Sequence, residues 1–251
     1  MKQAAFDSRG SHIRWTEVPG AEPARVYLHG LGSMSAVYHA HIAARPELVG
    51  RRGLFVDLPG HGISDRPRHF GYTLEEHADA VAVALDRAGV DGAELIAHSM
   101  GGAVAIVLAH RRLDLVSRLV LTEANLDAFP PPTAGSSGIA SYGEDEFVEK
   151  EHARVLEAVG PLWAATMRLA DPRALHRSAV GLRHGSNPVM RSILESLPVE
   201  RVYLQGELSG ELEGRESLEA AGVRVVTVPG AGHNVMFDNP EAFVAAVART
   251  G

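Results

Sequence analysis

The sequence predicts an α/β fold, a mostly parallel, doubly wound sheet with helices on both faces. Two observations predict it. Strand and helix patterns alternate along most of the 251 residues, the order that builds a parallel sheet from strand–helix–strand units. The strand-like runs are also almost continuously apolar, as strands covered on both faces are.

The elements follow in chain order. Residues 24–30 (ARVYLHG) and 53–60 (GLFVDLPG) are apolar, β-branched or aromatic runs that end in glycine, and each predicts a buried strand. Residues 73–89 predict a helix. Thr73 and Glu76 have capping-box spacing, and Leu74, Ala78, Val81, Leu85 and Ala88 form an apolar stripe. Residues 93–99 (AELIAHS) read as a strand and 100–113 as a helix, followed by another strand at 116–123 (VSRLVLTE). Residues 199–207 and 223–230 give two more strands. A helix closes the chain, with Asn239 as N-cap and Pro240 in its first turn.

Residues 125–197 break the alternation. They open on a loop by composition (PPPTAGSSG, 130–138) and continue with helix-like segments. Asp171-Pro172 and Asn187-Pro188 each read as an N-cap followed by proline. The expected organisation is a core domain of residues 1–124 and 198–251, with a helical cap at 125–197 over one edge of the sheet.

Composition narrows the function. The net charge of −7 gives no basic footprint for nucleic acid, and there is no cysteine for a disulfide, thiolate nucleophile or metal site. The first ten residues, MKQAAFDSRG, lack the apolar core of a signal peptide. No apolar run approaches the roughly 18 residues of a membrane helix. A cytoplasmic protein without a membrane partner is expected.

The chemistry centres on Ala97-His98-Ser99-Met100-Gly101, where a strand pattern turns into a helix pattern. A turn this tight strains its central residue and requires small neighbours, which Ala97 and Gly101 supply. It lifts the hydroxyl clear of the sheet and brings the Met100 N–H to face the same space, half of an oxyanion hole. A hydroxyl needs a base within hydrogen-bond reach, and His233, in GAGHN before the last helix, is the candidate. The loop His29-Gly30-Leu31-Gly32 follows a strand, and the Leu31 N–H is the candidate second oxyanion donor.

Four motifs occur in order: His29-Gly30-Leu31-Gly32, Asp57-Leu58-Pro59-Gly60-His61-Gly62, His98-Ser99-Met100-Gly101-Gly102 and Gly232-His233. On them the chain resembles the α/β-hydrolase fold family from about Ala24 to its end. The resemblance implies a cofactor-free hydrolase with a Ser–His–acid triad.

The acid departs from the family's commonest pattern, which places an aspartate after the next-to-last strand. Here that stretch reads Gly206-Glu207-Leu208-Ser209, and a neutral serine cannot balance an imidazolium. Glu123, at the end of the strand after the nucleophile, is assigned instead, at the carboxyl edge where sites of such sheets collect. Haloalkane dehalogenases with a strand-end glutamate, and lactonases of the zearalenone-hydrolase kind, carry their acid there. Glu207, Glu211 and Glu213 remain alternatives.

The expected reaction is cleavage of a carboxylic ester or lactone of a small, apolar substrate through an acyl-enzyme on Ser99. Carbon–carbon hydrolysis of a diketone, or a ligand-binding role with little turnover, uses similar residues. Ser99 excludes dehalogenation, which needs aspartate at that position. GLGSMS after a strand is close to a dinucleotide motif, but its third glycine is Ser35. His39 and His41 are two histidines on a polar stretch, and no metal is expected. Asp57 and Asp65 are expected to hold the loop after their strand, and neither His61 nor His98 is expected to be catalytic. Gly32, Trp163 and Met167 are the expected substrate contacts, with Leu162 and Met190 nearby. A small ester or lactone is the expected partner, and a homodimer stays open.

Overall fold

The apolar runs form the middle of one eight-stranded sheet in a computed structural model that describes residues 1–128 and 138–248. The strands are β1 (Lys2–Ala5), β2 (His12–Val18), β3 (Ala21–Leu28), β4 (Arg51–Asp57), β5 (Ala93–His98), β6 (Val116–Thr122), β7 (Glu200–Gly206) and β8 (Arg224–Val228). Their order is β1-β2-β4-β3-β5-β6-β7-β8. β1 pairs antiparallel with β2, and β2 with β4; the rest of the sheet is parallel.

Continuous apolarity has a direct cause. Along β3, Val26 and Leu28 enter one core cluster while Tyr27 enters another; along β5, Leu95 and Ala97 face one and Ile96 the other. Both faces are covered, so both phases of each strand are apolar. Helices α2 (Leu74–Ala88) and α3 (Met100–Arg111) pack into the first cluster, and α1 (Ser35–Ala43) and the closing helix Pro240–Ala248 into the second.

The caps form as their chemistry requires. At α2 the Glu76 N–H donates to Thr73 Oγ1 and the Thr73 N–H to Glu76 Oε2, both at 3.1 Å. The Ala242 N–H donates to Asn239 Oδ1 at 3.1 Å. The Asp171 carboxylate caps Pro172–His184 through the Ala174 N–H at 3.0 Å. Asn187-Pro188 does not act as a cap: the next helix, Met190–Ser196, starts two residues later, after Val189, with no side-chain cap.

Between β6 and β7 the chain forms helices and no strand among the described residues. Of the loop read over 130–138, only Gly138 lies among them. Ile139, Phe147, Val155, Met167, Ala170, Leu175 and Ala179 form a third apolar cluster. Met190, Ile193 and Leu194 belong instead to the first core cluster, and Leu162 packs against the second. Met190 is therefore drawn away from Trp163 and Met167, a correction to the expected roof.

The inserted helices rest on loops at the carboxyl ends of β3 and β4. The Asp171 N–H donates to the Gly60 carbonyl at 2.9 Å, Arg66 reaches the Leu169 carbonyl at 2.6 Å, and Arg177 reaches the Phe70 carbonyl at 3.0 Å.

Candidate active site

The chain leaves β3 toward β4 on one side and returns past it to β5 on the other. The carboxyl ends of β3 and β5 therefore flank a topological switch point, where open parallel sheets bind their ligands. The motif loops of the sequence sit there.

Ser99 joins β5 to α3 with φ +51° and ψ −121°, a positive φ that a side chain adopts only when its surroundings enforce it. The enforcement is visible: the Ser99 N–H donates to the Thr122 carbonyl at 2.9 Å, and the Ser99 carbonyl accepts the Gly102 N–H at 2.8 Å. The residue stays partly exposed while Ala97, His98 and Met100 around it are buried. The Met100 N–H opens α3, so no carbonyl one turn earlier in the helix is there to accept it. The β3 loop closes in from the side. A Cβ on Gly30 would lie 3.1 Å from Ser99 Cβ and 3.1 Å from His98 Nδ1.

That loop is held by His29. The Leu58 N–H donates to His29 Nε2 at 3.0 Å, so Nδ1 carries the proton and donates to the Gly30 carbonyl at 2.7 Å. Complete burial lowers the His29 pKa to about 4 and keeps the ring neutral. Asp57 accepts the Ser35 N–H at 2.8 Å and the Ile63 N–H at 3.1 Å; burial raises its pKa to about 6. Asp65 accepts the His12 N–H at 2.8 Å and pairs with Arg14. Both carboxylates hold the β4 loop, away from the serine turn.

His233 approaches from the loop after β8. Its ring centroid lies 4.8 Å from that of His98, and the His98 Nε2–H donates to the His233 carbonyl at 2.9 Å. The residue before the serine therefore anchors the loop that brings the second histidine. No hydrogen bond joins the Ser99 hydroxyl to His233 in this structure; such bonds are commonly long before substrate binds.

Glu123 leaves the end of β6 with φ +50°, a second strained non-glycine residue. Its Oε2 lies 3.5 Å from His233 Nδ1 and its Oε1 accepts the Gly206 N–H at 2.6 Å. The carboxylate is nearly buried while the imidazole is half exposed. Glu207 accepts the Gly230 N–H at 2.9 Å, bracing the loop that leads to His233. Glu211 and Glu213 are exposed. None of these three pairs with the imidazole.

The helices between β6 and β7 meet the loop after β3. Trp163 Nε1–H donates to the Leu31 carbonyl at 2.7 Å, and Trp163 and Met167 both press on Gly32. Met167 is fully buried, so what it touches is the loop and its own helices. His39 and His41 diverge: His39 is buried beside the Ser35 carbonyl, whereas His41 meets the Met236 carbonyl at 3.0 Å. Among the described residues no group of three or more His, Cys, Asp or Glu side chains is placed to hold a metal ion, and no helix is long and apolar enough to cross a membrane.

Two contacts escape the sequence reading: the His98 anchor and the Gly206 N–H on Glu123. Each joins elements far apart in the chain, and no local pattern marks either.

Residues 24–173 match the family model described as the alpha/beta hydrolase fold. The chain belongs to the α/β-hydrolase fold family. As a member it is a hydrolytic enzyme. It is 28% identical to a 2-(acetamidomethylene)succinate hydrolase of Mesorhizobium japonicum, with 91% of this chain and 87% of that protein covered. Among solved structures, an esterase from Exiguobacterium antarcticum superposes with a TM-score of 0.82 at 21% identity, covering 98% of each chain. An enol-lactonase from Burkholderia xenovorans gives 0.77 at 20% identity, again over 98% of each. At such identities the two structures establish the shared fold of this α/β-hydrolase.

Proposed function

We propose that this α/β-hydrolase cleaves a carboxylic ester or lactone of a small, apolar substrate through an acyl-enzyme on Ser99. The observation that carries the reading is a serine held at φ +51° at the switch point of the sheet, next in the chain to His98, which anchors the loop of the half-exposed His233 that Glu123 approaches at 3.5 Å.

In this reading Ser99 Oγ attacks the carbonyl carbon and its proton passes to His233 Nε2. Glu123 keeps the other proton on Nδ1 and stabilises the imidazolium. The negative oxygen of the tetrahedral intermediate sits between the N–H groups of Leu31 and Met100. The C–O bond to the alcohol breaks, and the alcohol leaves with the proton from His233. Water, deprotonated by the same histidine, then releases the acid. Residues 125–197 act as a lid, with its Trp163 and the loop's Gly32 toward the substrate and the buried Met167 packed behind them. The esterase and enol-lactonase folds support an ester or lactone; no step calls on a metal or cofactor.

The test is turnover of p-nitrophenyl esters of graded chain length, a panel of small lactones and 2-(acetamidomethylene)succinate, on the wild type and on Ser99→Ala. Ester or lactone turnover that Ser99→Ala loses supports the reading. Turnover of 2-(acetamidomethylene)succinate alone, or none, overturns it.

A further inference from the structure

Trp163 grips the loop that carries Leu31. Its indole N–H donates to the Leu31 carbonyl at 2.7 Å. A Cβ on Gly32 would lie 3.0 Å from Trp163 Nε1 and 3.2 Å from Met167 Cε. The Leu31 side chain packs at once against the first core cluster and against the cluster of the inserted helices. Three separate parts of the loop are thus in contact with one short helix, Pro161–Met167, or its cluster.

The loop itself has two choices. Gly30 to Ser33 form a turn closed by the Ser33 N–H on the Gly30 carbonyl at 3.1 Å, with Gly32 at φ +68° in third position. That sign belongs to a type II turn; a type I turn has negative φ there. The two differ by a flip of the central peptide, here Leu31–Gly32. Glycine visits either sign of φ with little penalty, so the loop sequence alone does not select. The indole does, because a flip would swing the Leu31 carbonyl away from its donor. The same flip would reverse a peptide dipole next to the oxyanion site, where orientation decides whether the transition state is stabilised.

We propose that Trp163 is a positioning residue, a latch from the inserted helices that fixes the Leu31–Gly32 peptide and thereby makes the oxyanion site competent only when the helix Pro161–Met167 is seated. The proposal rests on the role given to Leu31 above. It moves Trp163 from a side chain that lines a pocket to one that acts through the backbone of another residue.

Trp163→Phe keeps an aromatic ring and removes the donor. Three quantities are measured on wild type and variant: melting temperature, steady-state kinetics on an ester whose turnover Ser99→Ala loses, and amide hydrogen exchange in the peptide spanning 29–33. The expected result is a melting temperature within a few degrees, kcat lower by about tenfold and KM changed by less than about twofold, since a reversed Leu31–Gly32 dipole beside the oxyanion site acts on the charge that develops in the transition state more than on the ground state. Exchange at Gly32 and Ser33 should be faster. A raised KM with kcat unchanged would mean pocket lining only and would overturn the latch, as would unaltered kinetics and exchange. If the phenylalanine variant melts early, Trp163→Tyr is measured in the same way. Unchanged kinetics in Trp163→Phe beside a dead Ser99→Ala would remove the latch and leave the serine hydrolase standing. If the wild type turns over no ester or lactone, exchange decides: equal rates overturn the latch and faster exchange in the variant upholds it.

Discussion

Glu123 Oε2 lies 3.5 Å from His233 Nδ1, and the same carboxylate takes the Gly206 N–H at 2.6 Å. One acid, at the end of β6, thus ties together the ends of β6 and β7 and the loop after β8. Glu123→Gln keeps the shape but cannot balance an imidazolium. Its kcat should fall by about a thousandfold or more, the scale seen when a triad acid is replaced by its amide. Glu207→Gln should retain activity near the wild type, because Glu207 is engaged with Gly230. Steady-state assays of the two variants side by side decide between them; collapse in Glu207→Gln with an active Glu123→Gln would reverse the assignment.

His98 anchors the His233 carbonyl while standing next to Ser99, and its other face stacks on Tyr38 at 5.8 Å. His98→Phe preserves the stack and removes the donor. His233 is exposed, so water can take over part of the carbonyl's bonding, and the stability loss should be about 1 kcal/mol. The kinetic loss should be larger in proportion, about tenfold in kcat, because in the proposed mechanism His233 would drift from Ser99. His98→Gln, which keeps an N–H donor, should recover part of that rate. Equal rates in all three proteins would show that the loop after β8 holds itself.

Most of the parallel sheet is readable in the chain because its strands are buried on both faces and leave long apolar runs. β1 and β2 are not read. In β2 the buried Ile13 and Trp15 alternate with half-buried polar residues, a period of two without the composition of a buried strand. α1 is hidden for another reason: its inward positions are Ser35, Tyr38, His39 and Ile42, at helical spacing but half of them polar. At the site, the strained serine turn has a sequence signature because sterics demand small neighbours around Ser99. The proposed acid is legible through two signs together, Ser209 standing where an aspartate is common and Glu123 ending an otherwise apolar strand. The indole bond from Trp163 to Leu31 is invisible, since nothing in PLWAATM says which carbonyl its donor will meet.

Acid should unfold this protein through buried histidines. His29 is depressed to about 4 and His39 and His61 to about 3, while His77 and His98 lie well below the ordinary value, in each case first through burial. The unfolded chain binds protons on these groups near pH 6.5, and the native state does not until far lower. Stability is therefore complete above about pH 6.5 and falls as pH drops toward 4. Asp57, raised to about 6, works in the opposite sense, since the native state holds its proton below that pH. One carboxyl against five imidazoles leaves the net loss intact. Melting temperatures taken at half-unit steps from pH 7.5 to 4 should decline below 6.5; a flat profile would mean that these rings gain partners when they charge.

The strands that lead into the Leu31 loop and into Ser99 are joined, away from those carboxyl ends, by an ion pair. Arg25 on β3 and Glu94 on β5 are register partners, with Arg25 Nε 2.9 Å from Glu94 Oε2 and both side chains about 5% exposed. Arg25 also donates to the Leu48 carbonyl at 2.9 Å. Removing one partner from such a buried pair strands the other charge, a loss of about 3–5 kcal/mol. Replacing both by apolar residues of similar volume avoids that penalty. Glu94→Leu should therefore lose about 3 kcal/mol or more in urea titration, while Arg25→Met with Glu94→Leu should recover most of it. The pair is remote from Ser99, so at low temperature, where both variants are folded, kcat should stay at the wild-type value. A double variant as unstable as the single one would show that the guanidinium's bond to Leu48, rather than the charge pair, holds β3 in place.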